Sequence, residues 1–275
     1  MCTHMARRAG RQKLSDEFWW TLQRGEGPVA AAAIHDGHGL RPEVAAAMAL
    51  ADLDRLREED PFTGQAVAGV PTHFIAHRSR FEADLNRSPD TAVYRTPEQA
   101  WGLQVWKGEL ADEIAERSLD YHRRFYAAVA ALLDDVARDH PRFVLLDVHS
   151  YNHRRDGPDA PPAAAEKMPE INIGTFSMPR EQWAWLLDPL MDAMRAYNFG
   201  GRHLDVRENI AFQGKGELTR FVHERYPGQA CAIAIEFKKF FMDEWSGEPD
   251  RAALAHMRGF IDHVTRAARE LLDGR

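Results

Sequence analysis

The chain has 275 residues, 44% of them hydrophobic and 28% charged, which is ample for one globular domain with a full core. Its 35 basic and 42 acidic side chains leave a formal net charge of −7, so no global basic field exists to attract nucleic acid. No apolar run reaches membrane-spanning length, and only Cys2 and Cys231 are present, which excludes a disulfide framework and fits a soluble protein of the reducing cytoplasm.

Met1 to Lys13 is basic but lacks the apolar centre of a secretory signal. Residues 1–14 read as a flexible extension, with Met5 as an alternative start. Val29 to Ile34 reads as a buried strand that ends in the glycine-bearing loop His35 to Gly39. A helix opens at Pro42 and continues through Met48 and Leu53. Glu58 to Val70, rich in Asp, Gly and Pro, reads as a surface excursion. Thr72 to Ala76 and Arg80 to Leu85 read as extended segments able to pair with each other, and Ser88 to Gly108 as loop.

Apolar residues at helical spacing predict a long helix from about Gly108 to Arg138. Phe143 to Val148 is the clearest buried strand and ends in the polar cluster His149 to Arg155. A loop, Arg155 to Pro162, precedes a strand at Ile171 to Thr175 and a helix from Gln182 to Tyr197 that Pro189 should interrupt or kink. Ala230 to Ile235 is a central strand with Glu236 at its end and Cys231 as a small buried hydrophobe, and Asp250 to Leu272 is an amphipathic helix. The order of elements predicts one α/β domain around a mixed sheet, with polar residues gathered where strands end.

Those strand ends carry the candidate chemistry. His35 and His38 either share a metal, or one ligates while the other touches substrate; the bland alternative is a pair of loop histidines. His149 follows a second strand, and in a parallel sheet it would project at the same rim as His35. A catalytic zinc takes three protein ligands. The third is sought first in Glu82, then in His38, with Asp84 and Asp36 behind them; the competing reading pairs Glu82 and Asp84 with Arg78, Arg80 or Arg87. His153, beside Arg154 and Arg155, reads as a supporting or substrate contact.

Asn86-Arg87 offers an amide and a planar fork for a carboxylate, and Arg80 could polarise a scissile carbonyl and stabilise the oxyanion. Glu236, in apolar company, should hold its proton more tightly than usual and serve as general base, unless Lys238 or Lys239 pairs with it. Ser150 lacks a nucleophile elbow, and the glycines of Phe212 to Thr219 lack the spacing of a phosphate loop; they fit tight turns or close approach of the backbone.

Four blocks in order carry a family resemblance: His35-Asp36-Gly37 with Pro42; Ser79-Arg80 with Asp84-Leu85-Asn86-Arg87; Asp147-Val148-His149-Ser150; and Asn209 through Gly214 with Glu236-Phe237. From about His35 to Trp245 the chain resembles the N-formylglutamate amidohydrolase family, zinc-dependent deformylases related to carboxypeptidase-type and aspartoacylase-type hydrolases. The resemblance implies a single three-layer α/β domain of zinc-carboxypeptidase (phosphorylase/hydrolase-like) type and one Zn2+ per chain. It also implies hydrolysis of a small acidic amide such as N-formyl-L-glutamate, a step of histidine degradation. It assigns His35 and His149 as metal ligands with an acidic third, for which Glu82 is the first candidate from the residues, and Glu236 and Arg80 as catalytic groups. Asn86, Arg87, His38, His153 and Asn209 would contact substrate.

This sequence departs from the family pattern in two places. No proline follows Asn209, and His38 stands where related enzymes place a glutamate ligand, which leaves the third ligand open between His38 and Glu82. The alternatives are a carboxypeptidase-like or aspartoacylase-like hydrolase of another acidic amide, and a non-catalytic carboxylate-binding protein.

Overall fold

Residues 19–274 are described by a computed structural model; Cys2, Met5 and the predicted extension 1–14 lie outside the described residues. The strands are Trp20–Gln23 (β1), Val29–Ala33 (β2), Thr72–Ala76 (β3), Phe143–Tyr151 (β4), Ile171–Gly174 (β5), Val206–Glu208 (β6) and Ala230–Lys238 (β7). They form one mixed sheet in the order β1-β3-β2-β4-β7-β5-β6. The centre, β3-β2-β4-β7, is parallel, while β1 and β5 run antiparallel to β3 and β7.

The helices are Pro42–Ala47 (α1), Asp52–Glu58 (α2), Thr63–Val67 (α3), Asp112–Asp139 (α4), Arg180–Ala196 (α5), Glu217–Arg225 (α6) and Arg251–Asp273 (α7). Alternation along the strands divides the core into two faces. Ala31, Leu146 and Ile233 pack with Val67, Leu187 and Phe260 of α3, α5 and α7. Ala32, Leu145 and Ala232 pack with Phe125, Val129 and Val222 of α4 and α6. The result is the expected three layers. Cys231 lies buried on the first face. Among the described residues no helix is long and apolar enough to cross a membrane.

Several local expectations change. The helix predicted from Pro42 through Leu53 breaks at Met48, because Ala49 N–H donates to Val105 and Ala47 accepts from Lys107. Arg80 to Leu85 is a run of turns and does not pair with β3, whose partners are β1 and β2. The region 58–70 is no surface excursion: Glu59, Asp60, Ala66, Val67 and Val70 are buried. Pro189 stays inside α5 on an exposed position, where its missing N–H falls on the water side. The short edge strands β1 and β6, and the polar helix α6, had no periodic signal to reveal them.

Candidate metal centre and its cavity

β2 delivers His35 at its C-terminal end, and Gly37 lets the following loop cross the end of β3. A Cβ at Gly37 would stand 2.2 Å from the His77 carbonyl carbon, so only glycine fits. β4 lies parallel beside β2 with Asp147 opposite Ala32, which brings His149 to the same rim. The two imidazole centroids are 5.0 Å apart. On the other side of β4, β7 sets Glu236 opposite His149.

The third member of the cluster is Asp60, just beyond α2. Its N–H donates to the His35 carbonyl at 2.9 Å. Its Oδ2 accepts from His149 Nδ1 at 3.0 Å and lies 3.4 Å from His35 Nδ1, while Oδ1 accepts from Ser150 at 3.2 Å. One ligating atom from each of His35, Asp60 and His149 falls within 4.8 Å of the others, and all three residues are buried.

The donor set suits a divalent cation. His35 Nδ1 is buried with no hydrogen-bond partner, while its Nε2 donates to Asp84 at 2.7 Å, so the outer nitrogen is anchored and the inner one left for a ligand. Two donors on a tetrahedral ion with bonds near 2 Å stand about 3.3 Å apart, close to the 3.0 Å and 3.4 Å that separate Asp60 Oδ2 from the two imidazoles. Two imidazoles and a carboxylate are a zinc-type set that leaves one coordination position open.

Glu82, the expected third ligand, is elsewhere. Its carboxylate accepts from Arg41 Nε at 2.9 Å, from the Arg41 N–H at 2.8 Å and from Arg78, so the competing ion-pair reading holds for it. His38 also faces away from the cluster. It bonds Glu59 at 2.5 Å and accepts from Arg55 at 3.0 Å, fastening the residue before Asp60. His153 lies beside Glu244, which accepts from its backbone N–H, and Asn209 clasps Thr175 at the end of β5. None of these four lines the cavity over the cluster, whereas Arg80, Asn86, Arg87 and Glu236 do.

That cavity has a volume of about 470 Å³. Asp84 is the hub of its arginine wall: besides His35 it accepts from Arg80 Nη2 at 2.8 Å and from Tyr94, and it stands 3.4 Å from Arg87 Nε. The Asn86 side chain accepts from Leu218 N–H at 3.3 Å and its Nδ2 lies 3.5 Å from His149 Nε2, tying this turn to the start of α6. Gly214, at φ +76°, packs its backbone against Gly174, which accounts for a glycine in that segment.

Burial pushes the Glu236 carboxyl up to about 7, against the pull of His149 and helped by Asp60 and Asp147. No hydrogen bond from the described residues reaches it. Burial works against ionised Asp60 too, yet the bond from His149 and the nearby His35 imidazole hold it well below the usual range. His149 is raised despite burial, because Asp147, Asp60 and Glu236 surround it. Asp147 Oδ1 lies 3.0 Å from His149 Nε2 but is not in line for a hydrogen bond, so its effect is one of charge.

Sequence reasoning missed Asp60, Glu58 and Lys239, all of which line the cavity. The one available signal was the acidic run Glu58-Glu59-Asp60 directly after a helical segment.

A sequence model of the N-formylglutamate amidohydrolase family matches residues 27–242. A search of curated proteins gives no match. Among solved structures, the N-formylglutamate amidohydrolase from Ralstonia eutropha JMP134 superposes with a TM-score of 0.72 at 16% identity, over 94% of this chain and 99% of that one. A gene product from Agrobacterium tumefaciens gives 0.67 at 15% identity, over 94% and 95%. A metallo-carboxypeptidase from Burkholderia cenocepacia gives 0.37 at 11% identity, over 87% and 56%.

Proposed function

Because this chain belongs to the N-formylglutamate amidohydrolase family, a family of amide-bond hydrolases, we propose that it cleaves a small N-formyl or N-acyl amino acid such as N-formyl-L-glutamate. The reading places it in the cytoplasm, with one zinc ion held by His35, Asp60 and His149. The observation that carries it is the convergence of those three side chains beneath a cavity that also holds Glu236 and three cationic or amide donors, Arg80, Asn86 and Arg87.

A bound zinc ion supplies Lewis acidity to a carbonyl oxygen and lowers the pKa of water. Glu236 takes the proton of the attacking water as the new C–O bond forms. The Arg80 guanidinium, held by Asp84, faces the charge that develops on the carbonyl oxygen. Glu236 then returns the proton to the amide nitrogen as the C–N bond breaks, releasing the carboxylic acid and the free amino acid. Asn86 and Arg87 hold the substrate carboxylate, and Gln99 fixes the arginine by accepting from Nη2 at 2.7 Å.

The test is metal analysis joined to a hydrolysis screen over N-formyl and N-acetyl amino acids. Wild-type protein is expected to carry about one zinc per chain, and His35→Ala or His149→Ala to lose metal and turnover together. Full zinc content and undiminished hydrolysis in both variants would defeat the assignment.

A further inference from the structure

Lys239 is a buried cation for which the reaction has no use. It is 1% exposed and stands three residues beyond Glu236, where β7 ends. Its Nζ donates to the carbonyls of Arg57 at 2.5 Å and Glu59 at 2.7 Å. Arg80 Nη1 takes the carbonyl between them, that of Glu58, at 3.3 Å. These are the last carbonyls of α2 and its cap. They have no partner within the helix and carry the negative end of its dipole.

The next residue is Asp60. On its other side its N–H is held by His35, and the preceding Glu59 side chain is gripped by His38, Arg55 and Ser79. The backbone of Lys239 is itself fixed, because its N–H donates to Tyr151 of β4 at 3.0 Å. The strand that carries Glu236 thus reaches across and pins the turn that carries Asp60.

We infer that Lys239 is a positioning residue for the metal centre, setting Asp60 against His35 and His149 by capping the end of α2. The inference rests on the metal reading above. A lysine that merely capped a helix would contribute to stability alone, whereas one that aims Asp60 must alter how the centre holds a cation.

The experiment measures Zn2+ affinity by chelator competition, and the visible absorption of the Co2+-loaded protein, in wild type, Lys239→Met, Asp60→Asn and the double variant. Lys239→Met should weaken zinc binding about ten- to a hundredfold and change the cobalt bands, as expected when the support of a ligand is lost. In the Asp60→Asn background the same change should cause no further loss, since Lys239 acts through Asp60. If Lys239→Met does not fold, Lys239→Gln, which keeps one donor, should show a smaller loss in the same direction. Zinc affinity within twofold of wild type, or a loss that adds in full to that of Asp60→Asn, overturns the inference and leaves the metal reading standing. Wild-type protein that binds neither ion overturns both.

Discussion

The ends of β2, β4 and β7 and the turn after α2 build the same centre by different means. At the strand ends, position follows from register. Once β2, β4 and β7 lie parallel, His35, His149 and Glu236 meet at one rim. The turn after α2 obeys no such period. Three consecutive carboxylates, the last residue of α2 and the two after it, go three ways: Glu58 to Asn152, Glu59 to His38 and Arg55, Asp60 to the histidines. A strand end states its location in its own residues, and a buried acidic turn only through its distant partners.

The strand-end half of this contrast is tested hardest by Glu236→Gln. Turnover should drop by about 10²- to 10⁴-fold with bound metal unchanged, because Glu236 is not in the ligand cluster. A general base works only when deprotonated, and burial raises this carboxyl to about 7. The wild-type kcat/KM should therefore fall as pH drops below an inflection at about 7, shifted lower where a bound cation favours the ionised form. Glu236→Gln should lose that acid limb. A wild-type rate that stays flat from about pH 5 to about pH 8 would remove Glu236 as the base.

Legibility in the sequence divides along the same line. The near-continuous apolar run of Phe143 to Val148 and the abrupt polar stop after Ile34 exposed the central strands, and with them both histidines and Glu236. The Asp84-x-Asn86-Arg87 block was visible as a unit because its members are close in sequence; Asn86 and Arg87 line the cavity, while Asp84 bonds His35. Asp60 was hidden because acids beside Pro61 and Gly64 look solvated; what buries them is Arg55, Ser79, Lys239 and the histidines, none adjacent in the chain. Glu82 misled for the converse reason. In sequence it shares a face with Asp84 only if the segment is extended, and the segment is a run of turns.

Glu82→Gln sharpens the contrast between a carboxylate in the candidate ligand cluster and one that holds the fold. Glu82 is fully buried between Arg41 and Arg78, so neutralising it leaves two guanidinium groups short of a counter-charge. A loss of about 3 kcal/mol in unfolding free energy is expected, read by urea titration, with zinc content unchanged. A variant of normal stability that had lost its zinc would move Glu82 back to the centre.

The smallest effect is expected at His153, which looked like a site residue only because it follows His149 and precedes two arginines. Its backbone N–H donates to Glu244 at 2.8 Å, while its imidazole Nδ1 stands 3.4 Å from that carboxylate without a hydrogen bond. The backbone bond survives truncation of the side chain. His153→Ala should then keep kcat/KM within about twofold and lower stability by about 1 kcal/mol or less, since no buried donor is orphaned. A rise in KM of tenfold or more with kcat unchanged would mean that the loop after β4 closes over substrate and brings the imidazole to it. In that case the polar run after a strand would predict substrate contacts even where its side chains stand outside the cavity.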